Sequence, residues 1–304
     1  MVLWRLLNCE CFNPKLNLSI EESIFRLFSS SGYDFALWLW CNSPSVIIGY
    51  SQSVRNEVNL EYCKIADIEI VRRLSGGGVV YHDMGVINIS LIVNVEKYRE
   101  FINLEYAYRA ASKPLVELLR ELDVNVMFKA PNGVFIDDFK VAGFAQYRSQ
   151  NTLLIHGSVL FNANLNNLYR SLTKIKYPVA NISSLVNEWL DAGMLKKEIV
   201  YQFSKIFNAE IINTPLTSKE AALAYKLYTL KYSSSLYNIN GIHPRAVVNI
   251  CLPKCSKANY VEFYEDLSLN LSRLYRDINL ILKPHFINGI SKPLVLLNGE
   301  LVIL

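Results

Sequence analysis

What this chain lacks narrows its roles before any motif is read. It carries 31 Lys and Arg against 27 Asp and Glu, a net charge of only +4 over 304 residues. The basic residues are scattered rather than run together, so there is no electrostatic footprint for nucleic acid. No stretch approaches the roughly 18 apolar residues that a membrane-crossing helix needs. The opening segment MVLWRLLNCECFNPKLNLSI is interrupted by Arg5, Glu10 and Pro14 and does not read as the apolar core of a signal peptide. The expectation is a cytoplasmic protein without a membrane partner. Cysteines are few: Cys9, Cys11, Cys41, Cys63, Cys251 and Cys255. No histidine flanks the pairs Cys9-x-Cys11 and Cys251-x3-Cys255, so no metal site is expected from them, and several read as reduced core residues. There is no internal repeat, no Walker loop and no G-x-G-x-x-G fingerprint.

What is present is a large apolar fraction, 51%, enough for a substantial core. Leu18 to Ser30 has helical periodicity, with Ile20, Ile24, Leu27 and Phe28 on one face, Glu21, Glu22 and Arg26 opposite, and Asn17 or Ser19 as cap. Phe35–Trp40 and Ser45–Gly49 read as paired strands around Pro44, and Ile68–Val71 and Asn88–Val93 as further strands. Leu104 to Leu122 is a long helix. Val124–Phe128, Gly133–Ile136 and Phe139–Phe144 are strands, the last two joined through Asp137-Asp138, and Leu153–Phe161 is another. Leu195–Phe207 and Lys219–Leu230 are helices, the second opened by the capping box Thr217-x-x-Glu220. Ser233–Ser235 and Asn238–Pro244 look like a linker, followed by a helix over Tyr260–Tyr275. The predicted class is α+β: a mixed or antiparallel β-sheet core with flanking helices over residues 1–240, and a small C-terminal α/β appendage over 241–304.

The most informative segment is Arg72-Arg73-Leu74-Ser75-Gly76-Gly77-Gly78-Val79-Val80-Tyr81-His82-Asp83. Three successive glycines fit a backbone that approaches a ligand or takes positive φ. Their N–H groups can form a concave anion site, and two arginines at the mouth would supply forked donors for phosphate or carboxylate. A tight turn flanked by solvated arginines is the plainer reading.

The string RRLSGGGVVYHDMG resembles the signature of the lipoate–protein ligase family. LNLSIEESIF and SPSVIIGYSQSVRNEVN upstream, and FKVAGFAQ with HGSVLF downstream, are similar to that family in the same order. The resemblance covers roughly residues 1–240. It implies the biotin/lipoate ligase catalytic fold, with Arg72, Arg73, Ser75, Gly76, Gly77 and Gly78 around the acyl chain and phosphates of an acyl-adenylate. Val79, Val80, Tyr81, His82 and Asp83 would lie just behind, His82 either as a structural histidine or with a chemical role. The family's essential lysine falls on Lys140 in the K-x-x-G that ends at Gly143. An ammonium there would neutralise the repulsion between a carboxylate and the α-phosphate of ATP. Asn132 in Lys129-Ala130-Pro131-Asn132 would turn the chain and bind a ligand group. His156 would line the acyl or adenine pocket or serve as a buried structural residue.

Two positions depart from the pattern: Val86 stands where Asn is usual, though Asn88 is kept and is among the ligand-binding residues the resemblance implies, and Gly133 where Asp is usual, with Asp137 or Asp138 as compensating carboxylates. The resemblance implies lipoate and Mg2+-ATP as substrates and cofactor. It implies as partners the lipoyl-acceptor domains of 2-oxoacid dehydrogenase or glycine-cleavage-type proteins, with an accessory subunit in trans where the C-terminal region does not suffice. The rival readings are an octanoyl or lipoyl transferase acting from a carrier protein, which would need a cysteine nucleophile near the lysine motif, and a non-catalytic acyl-binding subunit. No cysteine lies between Cys63 and Cys251.

Overall fold

The computed structural model describes residues 2–186, 191–243, 245–253, 267, 269–271, 278–287, 294–297 and 300–301. The chain runs β1 (Val2–Leu7), α1 (Pro14–Leu27), β2 (Phe35–Trp40), β3 (Ser45–Ile48), α2 (Val54–Glu57), α3 (Leu60–Ile65), β4 (Glu69–Arg72), β5 (Val80–His82), β6 (Val86–Asn94) and α4 (Leu104–Glu121). It continues through β7 (Val126–Lys129), β8 (Gly133–Ile136), β9 (Phe139–Ser149), β10 (Thr152–Leu160), α5 (Leu165–Ser171), α6 (Ala192–Phe207), β11 (Ala209–Thr214), α7 (Ser218–Leu227) and α8 (Ser235–Asn240). Strands β12 (Arg245–Pro253), β13 (Asn279–Ile287), β14 (Leu294–Leu297) and β15 (Glu300–Leu301) follow.

Eight strands form one mixed sheet in the order β11-β1-β2-β6-β10-β9-β8-β7. Strand β6 is its centre, and strict alternation divides its residues between two cores. Ile87, Ile89, Leu91 and Val93 face one core, which also holds buried residues of α4 and α6; Ile92 joins the other, with residues of α1 and α7. Asn88 and Ser90 lie on that second face by the same alternation. Cross-strand register sets Trp40, Asn88, Ser158 and Gly143 in one row, and Trp38, Ser90, His156 and Ala145 in the next. The polar residues of the site therefore come from four strands but one face. A three-stranded sheet, β4-β3-β5, carries the glycine-rich loop, and β12 to β15 form a four-stranded sheet in the order β13-β12-β14-β15. The mixed-sheet α+β class read from the sequence is the one observed.

Several local expectations are corrected. Helix α1 begins at Pro14 and is capped by Asn13, whose side chain accepts from the Leu16 N–H at 3.0 Å, so neither Asn17 nor Ser19 is the cap. Glu21, Glu22 and Arg26 are not on a solvent face: α7 and the turn Tyr228–Tyr232 cover α1, and all three are buried. Strands β2 and β3 do not pair; they belong to different sheets. Much of the linker read over Ser233–Ser235 and Asn238–Pro244 is structured: Ser235–Asn240 form α8, and Asn238 is buried and donates to the Tyr232 carbonyl at 2.6 Å. Strands β1 and β11, which pair in parallel, were not expected at all. The helix read over Tyr260–Tyr275 lies mostly outside the described residues, as does Cys255.

Candidate active site

The glycine-rich loop is shaped from within by Arg73. Its guanidinium donates to the carbonyls of Gly76 and Gly78, both at 2.7 Å, to that of Ile47 at 3.2 Å, and through Nε to Ser75 Oγ at 2.9 Å. Burial pushes its pKa down to about 10 despite the pull of Glu21 and Tyr108. Gly77 takes φ +91°, and a Cβ on it would meet that guanidinium at 3.1 Å. A Cβ on Gly49 would stand 2.3 Å from the Gly77 carbonyl, so the Gly49-Tyr50 turn is pressed against the loop as only glycine allows. Arg72 does not stand at the mouth as a free fork. It is buried and donates to the carbonyls of Gly49, Tyr50, Gln52 and Tyr237 between 2.8 and 3.1 Å, tying the loop to α8.

Beneath the loop lies a buried polar array. His156 Nδ1 donates to Glu21 at 2.9 Å, and its Nε2 is 2.6 Å from Ser75 Oγ. Glu21 also accepts from Ser90, which in turn accepts from the Trp40 indole at 2.8 Å. Ser75, His156 and Glu21 have the order of an acyl-transfer triad. Ser75 is nonetheless fully buried, its oxygen already accepts from Arg73, and it lines neither cavity described below. The array holds the loop in place and offers no exposed nucleophile.

A second buried array lies on the same face of the sheet. Asn42 Nδ2 lies 3.0 Å from His82 Nδ1, His82 Nε2 is 2.7 Å from Ser158 Oγ, and Ser158 donates to Asn88 Oδ1 at 3.1 Å. Burial, then Arg73 and His156, push the His82 pKa down to about 3, so the ring is neutral. Asp83 accepts from the N–H groups of Gly85 and Asn164, both at 2.8 Å, and closes the turn behind the loop.

Lys140 projects from the opposite wall. The three-residue spacing of K-x-x-G would put Lys140 and Gly143 on opposite faces of a regular strand. A β-bulge solves this: Val134 opposes Ala142 while Phe135 opposes Lys140, leaving Val141 as the extra residue. Both residues then share a face, and a Cβ on Gly143 would lie 2.9 Å from Lys140 Nζ. Among the described residues, no carboxylate pairs with this ammonium; its neighbour is the Tyr177 ring, 5.7 Å from Nζ to centroid. Burial, then the nearby Lys176, lower its pKa. Asn132, which follows the cis Ala130–Pro131 bond, donates to the Phe144 carbonyl at 2.5 Å and lines both cavities described below.

Two cavities meet at Lys140. The narrow one, about 120 Å³, has an apolar lining that includes Leu18, Trp40, Ile47, Val79 and Phe144, with Arg73, His82, Asn88 and His156 among its polar walls. The wide one, about 1060 Å³, is lined by Lys129, Lys174 and Lys176, with Tyr81 and the single carboxylate Glu57. Gly78, Val79, Val80, Asn132, Lys140, Gly143 and Ser158 belong to both. Of the residues singled out in the sequence, Arg72, Ser75, Gly76, Gly77 and Asp83 stand outside both walls and shape the site from behind. Asp137 and Asp138 line neither cavity, and Val86 is buried. A Cβ on Gly133 would meet the Phe135 ring at 2.7 Å, so that ring fills the space where a carboxylate would otherwise stand. Glu21, Trp40, Lys174 and Lys176 were missed. The first looked like the solvated face of a helix, and the lysines lie in a segment without a motif.

An apolar slot thus opens onto a cationic chamber at an ammonium that pairs with no carboxylate among the described residues. Residues 13–204 match the lipoyl protein ligase A/B catalytic domain, and the chain belongs to that family. Lipoate–protein ligase 1 of Staphylococcus aureus is 30% identical over 239 residues, 74% of this chain and 70% of that protein. An octanoyltransferase of Clostridioides difficile is 27% identical over 268 residues, 77% of this chain and 98% of that protein. Among solved structures, a Thermoplasma acidophilum protein with bound lipoic acid superposes with a TM-score of 0.71 at 26% identity, covering 79% of this chain and 99% of that one. A bipartite lipoate protein ligase with its E2 lipoyl domain, from the same organism, gives 0.67 at 27% identity, covering 79% and 97%. A lipoate–protein ligase A bound with ATP gives 0.68 at 26% identity, covering 78% and 99%.

Proposed function

We propose that the protein is an ATP-dependent lipoate–protein ligase. The observation that carries this reading is the position of Lys140, an ammonium without an acidic partner among the described residues, where a largely apolar slot meets a lysine-lined chamber. The slot would take the acyl chain against Trp40, Ile47 and Phe144. The chamber would take the phosphates of ATP beside Lys129, Lys174 and Lys176. The substrate carboxylate and the α-phosphate would then meet at Lys140, which offsets their repulsion and the charge that builds on the transferring phosphoryl oxygens. Carboxylate attack gives lipoyl-AMP and pyrophosphate. The lysine amine of an acceptor domain then attacks the acyl carbon, forming the amide and releasing AMP.

The donor set around the chamber fits ATP. It does not fit a divalent metal held by protein carboxylates, since Glu57 is the one acid in the lining and no cluster of three ligating side chains occurs among the described residues. Mg2+ belongs in this account only as an ion travelling with the nucleotide. The kinship with an octanoyltransferase favours a second reading, acyl transfer from a carrier protein, which would need a thiolate beside Lys140. Cys63 is buried with its thiol pushed up to about 11, and no cysteine among the described residues lines either cavity. The ligase reading is therefore preferred. We further propose that residues 1–240 form the catalytic unit and 241–304 an accessory region. The acceptor is a lipoyl domain, as in the bipartite archaeal relative. Lipoate-dependent exchange of pyrophosphate into ATP tests the reading; no exchange above the lipoate-free blank, with or without an added accessory subunit, would overturn it.

A further inference from the structure

The second buried array has a direction. Its starting point, Asn17, is buried within α1, and its side-chain nitrogen faces two backbone carbonyls, Cys11 at 2.8 Å and Cys41 at 2.9 Å. Carbonyls only accept, so this amide is fixed with its N–H groups toward them and cannot be flipped. The two protons of that nitrogen go to the carbonyls, and the Asn42 amide stands 2.9 Å from it; an Asn42 nitrogen there would set donor against donor, so Asn42 turns its oxygen to Asn17. Asn42 then presents its nitrogen to His82, 3.0 Å away. His82 Nδ1 is then an acceptor, and a neutral ring carries its proton on Nε2. That N–H donates to Ser158 Oγ, and the one hydroxyl proton of Ser158 goes to Asn88 Oδ1. Every link passes its donor the same way. Asn88 Nδ2, at the end, is buried without a partner in the wall of the narrow cavity. A buried amide nitrogen left unpaired costs about as much as a lost hydrogen bond, so such a group is kept for a ligand.

We propose that Asn88 is a substrate-contacting residue that offers its side-chain N–H groups to a carbonyl-type oxygen of the acyl group, and that Asn17, Asn42, His82 and Ser158 are positioning residues that fix this polarity. The inference rests on reading the narrow cavity as the acyl slot. The slot then accepts an acid or acyl head and rejects an amine of the same chain length. The depressed basicity of His82 agrees with a ring that stays neutral as a relay and does not exchange protons with the substrate.

Two measurements on the full-length chain test the proposal. Nitrogen-15 NMR of the free protein should show His82 as the Nε2–H tautomer. An Nδ1–H tautomer would break the relay between Asn42 and His82 and overturn the proposal without any ligand. Calorimetric titration should show Asn88→Asp, which keeps the Ser158 bond but replaces the donor by an acceptor, weakening lipoate about 10- to 100-fold. The same variant should bind octylamine more tightly than the wild type does. Unchanged lipoate affinity, or equal loss of both ligands, would overturn the assigned polarity. A wild-type protein that binds neither lipoate nor octanoate would instead overturn the acyl-slot reading, and the role of Asn88 with it, whatever the tautomer.

Discussion

Replacing Gly143 by Ala should leave the fold intact and disable the chemistry. The added Cβ would lie 2.9 Å from Lys140 Nζ and 3.0 Å from its Cε, where ordinary contact begins at 3.4 Å. Both atoms belong to the end of a flexible side chain, so the lysine yields rather than the backbone. Yielding moves the ammonium by roughly half an ångström to one ångström, and misplacement on that scale costs on the order of 10²-fold in rate. Gly143 does not have positive φ, so alanine fits its backbone, and the restricted unfolded chain should gain about 0.4–1 kcal/mol of stability. The two effects have opposite signs, which separates them from general damage. The assay is pyrophosphate exchange beside a melting curve, with Lys140→Ala, expected to lose ~10²–10³ in rate, as the reference. A Gly143→Ala protein with full exchange and an unchanged melting temperature would show that the position of this ammonium does not matter.

Gly77→Val should lower stability as well as activity, because the new side chain must adopt φ +91° and crowd Arg73; a melting curve overlying the wild type would refute this. Acid should destabilise the protein in two stages. His82, held down to about 3 against an ordinary 6.5, contributes stability that is present above 6.5 and lost as the pH falls toward 3. Glu22, for which Arg26 and Lys231 outweigh burial and hold it at about 2 against 4.5, adds a further loss below 4.5. Urea titrations across this range should show the decline, and flat stability from 7 to 3 would contradict both assignments. A purified lipoyl domain should be modified far faster than free lysine at matched concentration, because a held amine has a high effective concentration. The rate should survive added salt, since the chain has no strong charge bias; equal rates for the two amines would remove the protein acceptor.

The sheet was legible because alternation is local: Ile87, Ile89 and Leu91 announce a central strand without knowledge of its neighbours. The loop and the lysine were legible as motifs, but not the geometry that links them. The spacing of Lys140 and Gly143 makes physical sense only with the bulge at Val141, which nothing in the local pattern shows. Glu21 and Glu22 were misplaced on a solvent face because their partners are remote. Glu22 meets Lys231 and Tyr232 from 209 and 210 positions away, and Glu21 meets His156 from 135. Arg72 was misjudged for the same reason, since Tyr237, whose carbonyl takes up its Nε, is 165 residues distant. Periodicity reports which way a residue points, not what long-range packing will lay over it.

The account stands most directly on one reaction. An acceptor lipoyl domain is incubated with the protein and any required accessory subunit, and its intact mass is followed. The expected result is the gain of one lipoyl group only when lipoate and ATP are both present, and none with Lys140→Ala. Acylation from an octanoyl carrier protein without ATP, with no gain from lipoate and ATP, would contradict it.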